Sequence, residues 1–215
     1  MTSKYFLMPI KSSMIKSDYI QLNLNDLIEH IGEDETKHLL RSFSCPLNPD
    51  VENFIKHKAI EFSRRGFAKT HLVFWQTENE SELIGYYAIA QKSFALVKGA
   101  VSNSLYKKLS QYGTYDSSIQ KYIISALLIG QLGKNYSYGN DTLISGDELL
   151  GLALDKVKLI QNESGGRYTY LECEDNPKLI DFYERNGFTQ FGKRNLDPDE
   201  ADIIGTYLLQ YIKKL

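Results

Sequence analysis

With two cysteines, one tryptophan, three methionines and five prolines in 215 residues, the chain is poor in the residues that announce special chemistry. Cys45 and Cys173 stand far apart in the sequence. One disulfide is open to them, but two thiols do not make the framework of a small secreted domain, and without a Cys-x-x-Cys the composition points to a reduced chain in the cytoplasm. The four histidines, His30, His38, His57 and His71, have no ligand spacing. The sequence contains no metal motif, P-loop or dinucleotide fingerprint. No charge of one sign dominates: 25 Lys and Arg stand against 27 Asp and Glu, a net charge of -2. That excludes a global basic field for nucleic acid, although a local patch can sit under a neutral sum. The longest apolar run, at 123–129, is far too short to span a bilayer, and the first ten residues lack a signal-peptide core. No repeat, low-complexity tract or linker interrupts the chain.

What is present is an ordinary globular balance of 42% hydrophobic and 24% charged residues, enough apolar material for a substantial core. Residues 19–24 alternate weakly and predict a strand. Residues 26–42 carry helical spacing through Leu27, Ile28, Ile31, Leu39 and Leu40, interrupted at Gly32. Asn48-Pro49-Asp50 opens a stronger helix. Asn48 suits the N-cap, Pro49 the first helical position, and Asp50 complements the helix dipole. Val51, Phe54, Ile55, Ala59 and Phe62 then share a face, and Gly66 ends the helix. The β-rich runs 70–77 and 82–90, joined by a short polar connection, read as an antiparallel hairpin. Residues 98–120 form an excursion with a short helix at 105–109.

An Ile- and Leu-rich strand at 122–132 reads as buried on both faces. A loop at 133–144 leads from it to a helix starting near Ser145, where Glu148 completes a capping box. Leu149, Leu150, Ala153, Leu154, Val157 and Ile160 supply that helix's apolar stripe, and Gly165-Gly166 stops it. A strand at 167–174, a helix at 177–186, a strand at 188–193 and a final strand at 202–212 follow. This order predicts one α/β domain over residues 1–215, a mixed sheet with helices on both faces, in which strands 122–132 and 167–174 are parallel.

Three stretches carry a resemblance: Leu128-Ile-Gly-Gln-Leu132, the helix start Ser145-Gly-Asp-Glu-Leu-Leu150, and Asn176-Pro-Lys-Leu-Ile-Asp-Phe-Tyr-Glu-Arg-Asn-Gly-Phe188. Over residues 37–195 the chain resembles the GCN5-related N-acetyltransferase (GNAT) superfamily, with 1–36 as an N-terminal extension. Phe43-Ser-Cys45, the helix bearing Phe54 and Ile55, and Gly85-Tyr-Tyr-Ala-Ile-Ala90 are similar to acetyltransferase toxins that modify charged tRNA. The resemblance implies a GNAT-like acyl-CoA N-acyltransferase fold, acetyl-CoA as cosubstrate and a primary amine as acceptor. One departure is visible. Where the family carries its Arg/Gln-x-x-Gly-x-Gly/Ala motif, Asp141 holds the basic or Gln position and Ile144 that of the middle Gly, and the loop is longer.

Each expected site residue also has a plainer reading. A CoA pyrophosphate suits the free N–H groups of a helix start, which makes Gly139, Ile144, Ser145 and Gly146 its expected cradle; otherwise they are a loop feeding a capped helix. If the two parallel strands splay, backbone groups of Gln131, Leu132 and Gly133 can bond a pantetheine arm as an added strand. The Leu132 N–H would then face the thioester oxygen, a contact worth about 3 kcal/mol in other acyl transfers; otherwise every strand amide is paired. Asn176 caps its helix, contacts the cofactor, or does both. Tyr183 shares a helix face with Leu179 and Phe182, spacing that by itself reads as core. The resemblance instead assigns it as general acid for the departing CoA thiolate, and a phenol with a pKa near ~10 can donate at neutral pH. Glu172 and Glu174 lie on one strand face and serve as base, as ammonium anchor or as partners for nearby Lys or Arg; a water relay can replace them. The acceptor is then a small-molecule or protein amine. Charged tRNA is an alternative that the scattered Lys56, Lys58, Arg64, Arg65, Lys69, Lys107 and Lys108 and the net charge do not favour, and a CoA-binding module without catalysis is a second class. No membrane partner is expected, and a homodimer stays open.

Overall fold

A computed structural model of the chain describes residues 19–77, 81–197 and 205–215. Two compact units divide it, residues 1–88 with 131–152 and residues 89–130 with 153–215. The polar connection expected around 78–80 and the start of the last expected strand, at 202–204, lie outside the described residues.

In the first unit, strand β1 (Tyr19–Asn23) runs antiparallel to β2 (Lys69–Gln76), in a register that sets Gln21 opposite Val73. β3 (Ser81–Leu96) neighbours β2, and the end of β5 (Lys121–Lys134) neighbours β3. Helices α1 (Leu24–Ile31) and α2 (Glu33–Arg41) meet at Gly32, whose φ of 84° supplies the break that the sequence predicts. The Asn48 side chain accepts from the Val51 amide at 3.2 Å and Pro49 opens the helix, as an Asn-Pro pair should.

That helix departs from expectation. It divides into α3 (Pro49–Asn53), a π-helical turn (Phe54–Lys58) and α4 (Ala59–Arg64). A π turn adds one residue to a helical turn, which delays the buried stripe. Val51, Phe54, Ile55 and Ala59 are buried as predicted, but Ser63 replaces Phe62 as the next fully buried position. Phe43 and Phe54 pack their rings 5.2 and 6.3 Å from that of Tyr86, which is itself fully buried.

In the second unit, the rest of β3 and β5 continues into β6 (Tyr168–Cys173), β8 (Tyr207–Lys214) and β7 (Thr189–Asn195), in the order β3-β5-β6-β8-β7. β5 and β6 are parallel, as the crossover through α6 (Gly146–Ser164) predicts. β8 is antiparallel to both β6 and β7, so the last strand of the chain enters between two earlier ones. Phe94, Ile124, Tyr168, Tyr170, Phe191 and Ile212 belong to the core of this unit. β3 is longer than expected because Phe94 and Leu96 continue its buried alternation. The excursion holds α5 (Asn103–Ser110) and a short strand, β4 (Gly113–Asp116), that the sequence does not announce; β4 pairs only with β5. Nor is β5 buried throughout on both faces: Ser125 and Gly130, on opposite faces, are exposed. Among the described residues no helix is long and apolar enough to cross a membrane.

β5 runs two residues beyond the strand read from the sequence, and the first of them, Gly133, sits where only a glycine fits. A Cβ there would sit 2.3 Å from Val51 Cγ1 and 3.4 Å from Tyr86 Cε1. Gly133→Ala therefore forces α3 away from the sheet. Urea denaturation should show a loss of about 1–3 kcal/mol, the range for overpacked cores.

Candidate active site

β5 is paired unequally along its two edges. Its parallel ladder with β6 consists of Leu127↔Thr169, Leu128↔Tyr170 and Ile129↔Leu171, and ends there, although β5 runs on to Lys134 and β6 to Cys173. The Thr169 hydroxyl donates to the Leu127 carbonyl at 2.8 Å and ties the start of the ladder. On the β3 side, the Asn135 amide just past β5 still donates to the Ile84 carbonyl at 2.8 Å. Gln131 and Leu132 are half-buried, and Gly133 is buried.

Gln131 is also held through its side chain, which the sequence does not foretell. Its Nε2 donates to Asp50 Oδ2 at 2.8 Å, and Tyr86 OH lies 3.4 Å from its Oε1 while donating to the Val51 carbonyl at 2.6 Å. Burial, with Asp50 and Cys45 adding, pushes the Tyr86 phenol well above its ordinary value, so it stays a donor. An open groove of about 350 Å³ nearby in the sequence is lined by Cys45, Pro46, Pro49, Glu52, Asn53, Lys56 and His57. None of the expected site residues lines it. Its Glu52 is held below the usual carboxylate range by Lys56 at 2.5 Å and the Cys45 amide at 2.8 Å.

The segment after β5 is an anchored turn. Asn135, buried, accepts from the amides of Ser44 and Ser137, both at 3.0 Å, and donates to the Leu83 carbonyl at 2.7 Å. Asn140, also buried, donates to that same carbonyl at 3.2 Å. Between them a 3-10 turn (Ser137–Thr142) places Tyr138 and Gly139 at positive φ, with Tyr138 91% exposed at the tip. Gly139 is exposed; Ile144 is buried, so only its backbone is available to a ligand. Lys134 Nζ donates to the Asp141 carbonyl at 2.5 Å. The predicted capping box is present: the Ser145 amide donates to Glu148 Oε2 at 2.8 Å, and the Glu148 amide donates to Ser145 Oγ at 3.1 Å. It sets Asp147 and Glu148 in the first turn of α6.

In the second unit, the side chain of Asn176 accepts from the Lys178 amide at 2.9 Å and Pro177 opens α7 (Pro177–Arg185). The capping expectation therefore holds. Helix α7 contains no fully buried residue. The half-buried ring of Tyr183 lies 5.0, 5.9 and 6.3 Å from those of Phe182, Phe188 and Tyr211. No described residue forms a hydrogen bond to its hydroxyl. Burial, with Cys173 adding, pushes that phenol up. Glu172 takes the ion-pair role: Arg194 lies 2.8 Å away, and Gln210 Nε2 donates to it at 2.8 Å. Glu174 is half-buried just past the end of β6. Cys45 and Cys173 are both buried free thiols, which corrects the option of a disulfide. His71 is buried against Tyr87, ring centroids 5.1 Å apart, a structural histidine.

No family model matches the chain, and no curated protein matches it. Solved structures do. A mutant of the toxin AtaT bound to the C-terminus of the antitoxin AtaR and acetyl-CoA aligns with a TM-score of 0.55 at 16% identity, over 92% of this chain and 94% of that one. A structure described as a bacterial toxin aligns at 0.57 and 20%, over 91% and 90%. AtaT complexed with acetyl-methionyl-tRNAfMet aligns at 0.57 and 17%, over 89% and 94%. At these identities the likeness establishes the fold: the chain has the GNAT-type fold that its sequence resemblance implied.

Burial pushes the Cys173 thiol up to about 12, with Asp175 and Glu174 adding, and raises Tyr211 to about 12, with Glu184 adding. These groups are neutral when folded and ionise at lower pH when unfolded. The stability they contribute is complete below the unfolded thiol value of about 8.5 and is lost as pH rises towards the folded values. Urea midpoints should be flat from about pH 7 to 8 and fall steadily above about pH 9. At pH 8 a thiol reagent should modify both cysteines in the denatured chain and neither, on the same timescale, in the native one.

Proposed function

We propose that the chain is an acetyl-CoA-dependent N-acetyltransferase whose acceptor is the α-amine of an aminoacyl-tRNA. The observation that carries this reading is the early end of the β5–β6 ladder at Ile129 and Leu171, beyond which β5 continues for five residues. Backbone groups without a strand partner on that side suit an extended pantetheine amide chain. The acceptor class takes its support from the likeness to AtaT, one structure of which is complexed with acetyl-methionyl-tRNAfMet.

In this mechanism Gln131 and Gly133 hold the pantetheine through their backbone. The Gly146 amide, with backbone of Gly139 and Ile144, meets the pyrophosphate, and Asn176 touches the cofactor while capping α7. The amine nitrogen attacks the thioester carbonyl, and the C–S bond breaks as the C–N bond forms. The Leu132 N–H donates to the developing oxyanion. Tyr183 donates its proton to the departing sulfur as the C–S bond breaks. Glu172, Glu174 or a water relay accepts the amine's proton.

A second reading, a module that binds acetyl-CoA without turnover, draws on Asp141, Asp147 and Glu148 around the expected phosphate cradle, where carboxylates oppose an anion.

One substitution tests the leading reading. Tyr183→Phe should bind acetyl-CoA as the parent does in calorimetry and lose about 10²–10⁴-fold in turnover on aminoacyl-tRNA at saturating substrate. Turnover equal to the parent's rejects the acid role. Binding without turnover in the parent, across charged tRNA and simple amines, favours the module.

A further inference from the structure

We infer that the excursion between β3 and β5 is an RNA-contact surface, on which tyrosine rings receive unpaired bases and lysines receive phosphates. It takes the identity of the RNA from the acceptor reading above but stands on separate observations. Residues 92–121 contain five lysines, Lys92, Lys98, Lys107, Lys108 and Lys121, and one acid, Asp116. The stretch thus carries a net charge of +4 in a chain whose total is -2. The single acid is turned into its own loop, where it accepts from the Ser118 amide at 2.9 Å and the Ser118 hydroxyl at 2.6 Å.

Aromatic rings are interleaved with this charge. Tyr115 on β4 lies 5.2 Å from Tyr122 on β5, and Tyr122 lies 6.1 Å from Tyr106 on α5, both edge-on. Tyr115 is 53% exposed, an unusual position for a large ring on a strand with only one partner. Lys121 and Lys107 flank Tyr122 and Tyr106 in the sequence, and Lys107 and Lys108 are exposed. Tyr106 and Tyr122 are half-buried and pack against the core of this unit, which holds the exposed Tyr115 ring in place; an open ring beside exposed lysines suits an interaction site, and the charge selects the partner. A second copy of the chain would bring the same positive charge and be repelled. Unpaired nucleotides supply a π-face for every ring and a phosphate for every lysine, which is how single strands are held without sequence preference.

The full chain, titrated with uncharged tRNA and with a short single-stranded RNA at several salt concentrations, provides the test. The parent should bind both, more weakly as salt rises. K107A/K108A should cut affinity about tenfold and flatten the salt dependence by between one and two counterions. Tyr115→Ala should cut affinity about tenfold and leave the salt slope unchanged; Tyr115→Leu, which keeps an apolar side chain on β4, should do the same. All three should bind acetyl-CoA as the parent does. RNA affinity equal to the parent's in these variants overturns the inference, and if the parent still acetylates aminoacyl-tRNA the acceptor reading survives. RNA binding lost in the variants, from a parent that does not acetylate charged tRNA, supports this surface and removes that acceptor. A parent that binds acidic protein or anionic vesicles but no RNA also overturns it.

Discussion

The buried side-chain amide of Asn135 is the contact on which the first unit's candidate site depends. It joins the segment before α3, the edge of β3 and the turn after β5 through three hydrogen bonds of 2.7–3.0 Å. A buried polar group left unpaired costs about 1–3 kcal/mol, so each of the three segments is held in place by the need to satisfy the same amide. Asn140 repeats the device one turn later on the same Leu83 carbonyl. A loop fixed by two buried amides can present backbone N–H groups in a constant geometry, which a phosphate-binding turn requires.

The end of β5 is governed by close packing as much as by hydrogen bonds. Gly133 is where the strand meets Val51 and Tyr86, and Gln131 is tied to Asp50 and Tyr86. Both hold β5 to α3 and β3 while its ladder with β6 stops at Ile129.

Carboxylates set the electrostatic character of the α6 start. The reciprocal Ser145–Glu148 box satisfies the helix without any ligand, and it occupies the Ser145 amide that an anion would otherwise take. In the second unit Glu172 is likewise engaged: Arg194 and Gln210 bind it to β7 and β8, the ion-pair reading that the sequence offered among its alternatives.

Local signals were legible in the chain. Asn48-Pro49, Ser145 with Glu148, and Asn176-Pro177 each encode a helix start within four residues, and Gly32 and Gly66 each encode an end, because caps are satisfied by neighbours in sequence. The parallel relation of β5 and β6 followed from the helix between them, and the fold from the combination. The π turn at Phe54–Lys58, the insertion of β8 between β6 and β7, the tyrosines gathered around β4 and the point where the β5–β6 ladder ends were not legible. Nor were the partners of Asn135 and Glu172, which lie 22 to 91 residues away apart from Ser137. Sequence alone determined the helices, their ends and the strand-forming segments, since those depend on contacts a few residues apart. Only the tertiary structure decided which edges pair and which carboxylates are already engaged, because both depend on packing between segments distant in the chain.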